Sequence, residues 1–327
     1  MKPALRLALL AALCAGALLL SVRLGAVRLG VREVLDALRG AGDPTTVAIV
    51  QRLRVPRSLL AALVGGALAA SGAVFQALLR NPLAEPYVLG VSGGAAVGAV
   101  AAIVFGAGAS SAGVGLAAFA GAAIAIVVVL RMAASVGPTL DTRILLLSGV
   151  VAGAFFNACI LLVLTFADTE SFRSALFWMM GSFSGATWRE IVLLAGLAGP
   201  ALAVLFALAR PLNLLAVGEE TAQYLGVRTE RVKLAAYGTA SLLTASAVAV
   251  SGVIGFVGLV IPHIVRMTWG ADHRFLIPAS VLLGATFLVL ADSLARTVAA
   301  PTELPIGVVT AFVGVPFFLW ILRRRGA

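Results

Sequence analysis

Residues able to do chemistry are few in this chain, and their spacing rules out more than it supports. His263 and His273 are its only histidines, and Cys14 and Cys159 its only cysteines. A transition-metal site needs several such ligands, or carboxylates, converging on one point. These four are scattered, with both cysteines inside apolar runs, so neither a metal site nor a disulfide framework is expected. His263 follows Pro262 in a glycine-rich run and reads as a packing or capping residue, while His273, in GADHR, reads as a loop residue beside Arg274. No nucleophile, base and orienting group fall at a cooperating spacing, which argues against an enzyme. A Walker-type phosphate loop needs a glycine-rich turn ending in Gly-Lys-Ser/Thr. Lys2 and Lys233 are the only lysines, and neither follows a glycine. Any ATP and Mg used in the protein's work must be bound by another polypeptide, and no cofactor is expected in this one.

Two groups of charged residues remain. Asp292 and Arg296 stand one helical turn apart near the end of an apolar run. They form either a local pair or a site in which Arg296 is free to meet an acidic partner outside. The second group is the polar island RPLNLLAVGEETAQYLGVRTERVK, from Arg210 to Lys233. Pro211 suits the first turn of a short helix, and Gly218 ends it and opens the next. Glu219 and Glu220 then occupy a first turn, where negative charge is favoured, and Gly226 supplies the stop. Such helices are too short and too polar to enter a bilayer. They read as a handle for another protein.

The elements that must position these groups follow from composition. With 61% hydrophobic residues, 12% charged and a mean hydropathy of +1.08, the chain is read as an all-α polytopic membrane protein. A formal charge of +10 would suit nucleic acid, but the cations lie between apolar runs, where topology explains them and no nucleic-acid partner is needed. Ten runs, at about 5–22, 58–78, 88–107, 114–133, 144–166, 190–209, 233–251, 253–268, 275–294 and 306–322, predict ten spans, the first an uncleaved helix. An even number puts both termini and the polar island on one side. Arg80, Arg131, Arg143, Arg231 and the Arg323–Arg325 cluster fall there too, which makes that side cytoplasmic. The loop carrying Arg23, Arg28, Arg32, Arg39, Arg52, Arg54 and Arg57 is left outside as an exception.

Two stretches predict irregular structure. Residues 167–190 are too polar at both ends to span, and Phe172, Phe177, Trp178, Phe183 and Trp188 read as an interfacial belt or an external mouth for a flat, greasy ligand. Gly252, Gly255, Gly258 and Pro262 predict a broken helix, tolerated at membrane depth only where protein or a water-filled cavity surrounds it. SGAVF at Ser71 and SGVIGF at Ser251 each precede a proline by the same interval, an echo of an internal repeat.

Several stretches together resemble the ATP-binding-cassette importer permeases for iron siderophores, haem and vitamin B12. They are RVPRSLLAALVGGALAASGAVFQALLRNPLAEPYVLGVSGGA from Arg54, GEETAQYLGV from Gly218, SGVIGFVGLVIPHIVR from Ser251, GADHR, and ELPIGVVTAFVGVPFFLWIL from Glu303. The resemblance covers nearly the whole chain. It implies one ten-span permease domain over residues 1–327, with 210–233 as the cytoplasmic ATPase-coupling loop. It implies a second copy of the chain, two separate ATPase subunits and a periplasmic or lipid-anchored binding protein, in the inner membrane with both termini cytoplasmic. Residues matching Gly218, Glu219, Glu220, Thr221, Ala222, Gln223, Tyr224, Leu225 and Gly226 would enter a groove of the ATPase. Arg54, Arg57 and Arg296 would accept acidic residues of the binding protein, which would explain the arginine-rich external loop. The cytoplasmic gate would comprise Asn81 and Leu83 of the NPL turn, with Asp141 and Thr142. An iron chelate is the expected substrate, with vitamin B12 the alternative. An ion-driven secondary transporter would need ionisable residues deep in its spans, and here the charges gather at run ends.

Overall fold

The computed structural model describes residues 2–25, 29–106, 110–137 and 140–325; Arg28 lies outside the described residues. Helix α1 (Pro3–Arg23) is followed by the short α2 (Val31–Leu38) and α3 (Pro44–Ala48). A π-helical turn, Ile49–Arg54, leads from α3 into α4 (Val55–Leu78). After a single 3-10 turn (Pro86–Leu89) come α5 (Val91–Val104), α6 (Ser111–Val136), α7 (Thr142–Leu164), the short α8 (Thr169–Met179) and α9 (Trp188–Ala207). The short α10 (Ala209–Val217) and α11 (Glu219–Tyr224) precede α12 (Thr229–Ser251), α13 (Val257–Trp269), α14 (His273–Ala295) and α15 (Ile306–Arg325). Seven helices are long and apolar enough to cross a bilayer, and three shorter apolar ones, Val91–Val104, Val257–Trp269 and Ile306–Leu319, complete the ten predicted runs. No strand occurs among the described residues. The protein is an all-α polytopic membrane protein.

Polar residues set the helix starts. Ser110, Asp141, Asp168 and Asp272 each accept a backbone N–H of the first turn of α6, α7, α8 and α14, and Thr187 with Glu190 forms a capping box on α9. Helix α4 is the buried axis. In the segment 44–78 that contains it, 83% of the most apolar window is buried, against 28% to 33% in α1, α6, α7 and α9. Its neighbours approach through glycine. A Cβ on Gly65 would overlap the Gly284 carbonyl of α14, and one on Gly72 would overlap the Gly258 carbonyl of α13. Without a hydrophobic drive between helices in lipid, such close backbone contact is what holds them together.

The helix break lies upstream of where Pro262 would place it. Helix α12 ends at Ser251, and the chain is non-helical through Gly252, with φ 70°, to Phe256, with φ 69°. Helix α13 then runs straight through Pro262. Proline removes the hydrogen bond to the carbonyl four residues back, here Gly258, and the buried Gln76 amide donates to that carbonyl at 3.4 Å and to Leu259 at 3.1 Å. The unwound residues are satisfied by the loop after α4. Tyr87 Oη donates to the Ile254 carbonyl at 2.8 Å and accepts from its N–H at 3.0 Å, and Glu85 accepts from Phe256 N–H at 2.7 Å.

Three further expectations are corrected. Ser71 lies within continuous α4 whereas Ser251 ends α12, so the sequence echo marks no matching conformation. His273 is no loop residue: it opens α14, is buried, and has Nδ1 2.6 Å from Asn213 Oδ1. Among the aromatics of 167–190, Phe183 is a core residue and not part of an open mouth, while Trp188 Nε1 donates to the Gln51 carbonyl at 3.2 Å.

Candidate functional site

The polar island folds as two short helices hinged at Gly218. Gly226, at φ +83°, ends the second in the left-handed region open to glycine. Ala222 is fully buried and seats α11 on the bundle. Around it the side chains divide. Glu220, Thr221, Gln223, Tyr224 and Leu225 are exposed, Tyr224 to 91%, so an aromatic ring stands almost free in solvent. Glu219 turns inward.

What Glu219 meets is Lys233, near the start of α12 and only 2% exposed. Lys233 Nζ donates to Glu219 Oε2 at 3.1 Å and to the Leu140 carbonyl at 2.6 Å, and pairs with Glu230 Oε1 at 2.6 Å. Glu230 Oε2 in turn accepts the Leu140 N–H at 2.7 Å. The other Glu219 oxygen accepts from Thr142 Oγ1 at 3.2 Å and lies 3.8 Å from Arg80. Arg80 immediately precedes Asn81, whose side chain accepts the Leu83 N–H at 2.9 Å and so fixes the NPL turn. Asp141 caps α7 beside Thr142. One carboxylate of the polar island therefore touches both turns expected to form a gate. A buried ammonium is tolerable only when paired and hydrogen-bonded, and these three acceptors meet that requirement.

Lys233 had no special standing in the sequence. The one local signal was its spacing from Glu230, which places the two on one helix face. On the same side, the Arg274 side chain and Asn213 hold the Asp272 carboxyl far below the usual carboxylate range.

Arg54, Arg57 and Arg296 gather at the opposite end of α4 and α14, but not as a free positive surface. Arg57 forms a two-pronged pair with Asp292, at 2.9 to 3.1 Å, and reaches both oxygens of Glu303 at 2.9 Å. Arg296 pairs with Asp292 at 3.5 Å and donates to the Ser21 carbonyl and hydroxyl at 2.6 Å. Arg54 donates to the Val22 and Arg23 carbonyls at 2.9 and 3.1 Å. Arg54 and Arg296 are each 7% exposed, so Arg296 is not free for an outside acid: the pair with Asp292 forms. Among the described residues, exposed arginines at this end include Arg23, Arg32, Arg39 and Arg52. Beside the unwound segment lies a cavity of about 550 Å³, walled by Met179, Met180, Val253, Gly255, Gly307 and Phe312 among others.

Ten apolar helices among the described residues, with an exposed short helix wired to two turns at one end, form a membrane subunit that a partner at that end could work. The chain belongs to the FecCD transport family, whose model matches residues 12–324. It is 44% identical over 289 residues to the ABC transporter permease YvrB of Bacillus subtilis, covering 88% of this chain and 82% of that one. It is 46% identical to the cobalamin import system permease BtuC of Halobacterium salinarum, over 87% of this chain and 76% of that one. With the vitamin B12 import system permease BtuC of Escherichia coli the identity is 42%, over 87% and 86%. Among solved structures, an inward-facing metal-chelate type ABC transporter matches at TM-score 0.89 and 32% identity, covering 99% of this chain and 100% of that one.

Proposed function

We propose that this chain is the permease subunit of an ATP-driven importer of a bulky metal chelate. Two copies pair about the substrate path. Two separate ATPase subunits, which bind the ATP and Mg, seat on α10–α11, and a periplasmic or lipid-anchored binding protein delivers substrate to the opposite end. The chain lies in the inner membrane with both termini on the ATPase side. The observation that carries this reading is the contact of Glu219 with both turns: a helix that a partner can grip is bonded, through Lys233, Thr142 and Arg80, to the loops at the inner end of the path. Docking of the binding protein is electrostatic. Exposed Arg23, Arg32, Arg39 and Arg52 supply the accessible charge, and the Arg54, Arg57 and Arg296 cluster holds that face in shape.

Glu220→Arg combined with Tyr224→Ala should leave the fold intact, since both side chains are exposed, and should reduce recovery of the ATPase with the purified permease. Unchanged recovery would remove α11 from the interface. The favoured substrate is an iron chelate, a ferric siderophore or haem. A corrinoid is the second reading, favoured by the two relatives named as cobalamin and vitamin B12 permeases. Side-by-side uptake of ferric siderophore, haem and cobalamin into proteoliposomes holding the complete importer separates them, with preference for cobalamin selecting the second.

A further inference from the structure

We propose that the groove between α6 and α12, at the α10–α11 end of the bundle, binds one anionic phospholipid. The groove holds about 450 Å³ and is lined by Val127, Leu130, Arg131, Ala134, Arg231 and Leu234 among others. Its wall is aliphatic, and Val127 and Leu234 are more than half exposed, at 57% and 54%. Arg131 and Arg231 stand on facing helices at one end of that wall, both exposed. Neither side chain pairs with another described residue. Glu230 also borders the groove, but its carboxylate is committed to Lys233 and to the Leu140 N–H. Two guanidinium charges are thus left for an incoming group.

Their level along the helices identifies that group. Arg131 precedes the end of α6 by five residues and Arg231 follows the start of α12 by two. At a rise of about 1.5 Å per residue, both lie within roughly 8 Å of where their helices end. Charges there meet the headgroup layer, while Val127 and Leu234 extend the same groove toward the hydrocarbon. A phosphodiester above two acyl chains matches that order of charge and grease, and basic pockets between helices on this side are suited to anionic headgroups. The inference is independent of which substrate is carried. It assigns to two arginines a ligand beyond the general bias of positive charge toward one side of the membrane.

The test is native mass spectrometry of the purified permease released from mixed phosphatidylglycerol and phosphatidylcholine. Wild-type protein is expected to retain phosphatidylglycerol in preference. Arg131→Gln with Arg231→Gln should lower that retention by roughly thirtyfold and leave phosphatidylcholine unchanged. Ala134→Trp, which fills the groove but keeps both arginines, should lower it as well. Arg39→Gln, exposed at the opposite end, should not. Equal retention of the two lipids by wild type, or undiminished phosphatidylglycerol in the double variant, would overturn the proposal. So would loss of the co-purifying ATPase with lipid retention intact, which would make the groove a protein interface.

Discussion

Lys233→Met is expected to abolish most substrate uptake while ATP hydrolysis continues. Lys233 Nζ is the common partner of Glu219 on α11, Glu230 on α12 and the Leu140 carbonyl ahead of α7. Methionine keeps the length and removes the charge, leaving two carboxylates facing a buried site without their cation. Glu219 is then free to leave Thr142 and Arg80, and movement of α11 no longer reaches the turns. Coupling free energies between sites of this kind are about 1 to 3 kcal/mol, so uptake per ATP hydrolysed should fall about fivefold or more. A simple folding defect would produce the same loss of uptake by another route. Lys233→Met combined with Glu219→Gln separates the two, because it removes the less exposed of the two uncompensated charges. If that double variant recovers thermal stability but not uptake, the role is transmission; if it recovers both, Lys233 serves folding alone.

The second large effect is expected on stability. Asp292 is 1% exposed and lies between two guanidiniums, held in two-pronged fashion by Arg57 and approached by Arg296 at 3.5 Å. Its removal by Asp292→Ala leaves both cations buried, with Glu303 remaining to Arg57 alone. Breaking a buried pair in this one-sided way costs about 3 to 5 kcal/mol. The midpoint of thermal unfolding in detergent should drop well below that of wild type, with Asp292→Asn in between because the amide still accepts hydrogen bonds. Glu303→Gln, at the exposed edge of the cluster, should have little effect. An unchanged midpoint for Asp292→Ala would mean that the cluster contributes nothing net.

These two sites show where sequence is informative and where it stops. Glycine acts on its own neighbours, so Gly218 and Gly226 mark the limits of α11 before any tertiary contact is known. Long apolar runs likewise become helices wherever they fall, and all ten did. Tertiary contact decides the rest. An arginine that docks a partner and one that pairs across 235 positions with Asp292 have the same appearance in a one-dimensional charge pattern. Pro262 looks like a helix breaker because its missing donor is a local fact, whereas the rescue of the Gly258 carbonyl by Gln76 comes from another helix. Glu85 and Tyr87, which satisfy the unwound segment before α13, carry no motif at all. Lys233 is the sharpest instance: of its three partners only Glu230 is local, while Glu219 and the Leu140 carbonyl come from other elements.

Glu219 and Lys233 are expected to carry motion from the ATPase-gripped helix to the inner turns. A spin label at the exposed Arg143, one residue beyond Thr142, reports that motion as the distance between the two copies in the assembled importer. With native cysteines replaced, ATP should shift this distance in the labelled protein, and Lys233→Met should eliminate the shift while hydrolysis persists. The same ATP-dependent shift in both proteins would mean that Lys233 does not transmit the motion.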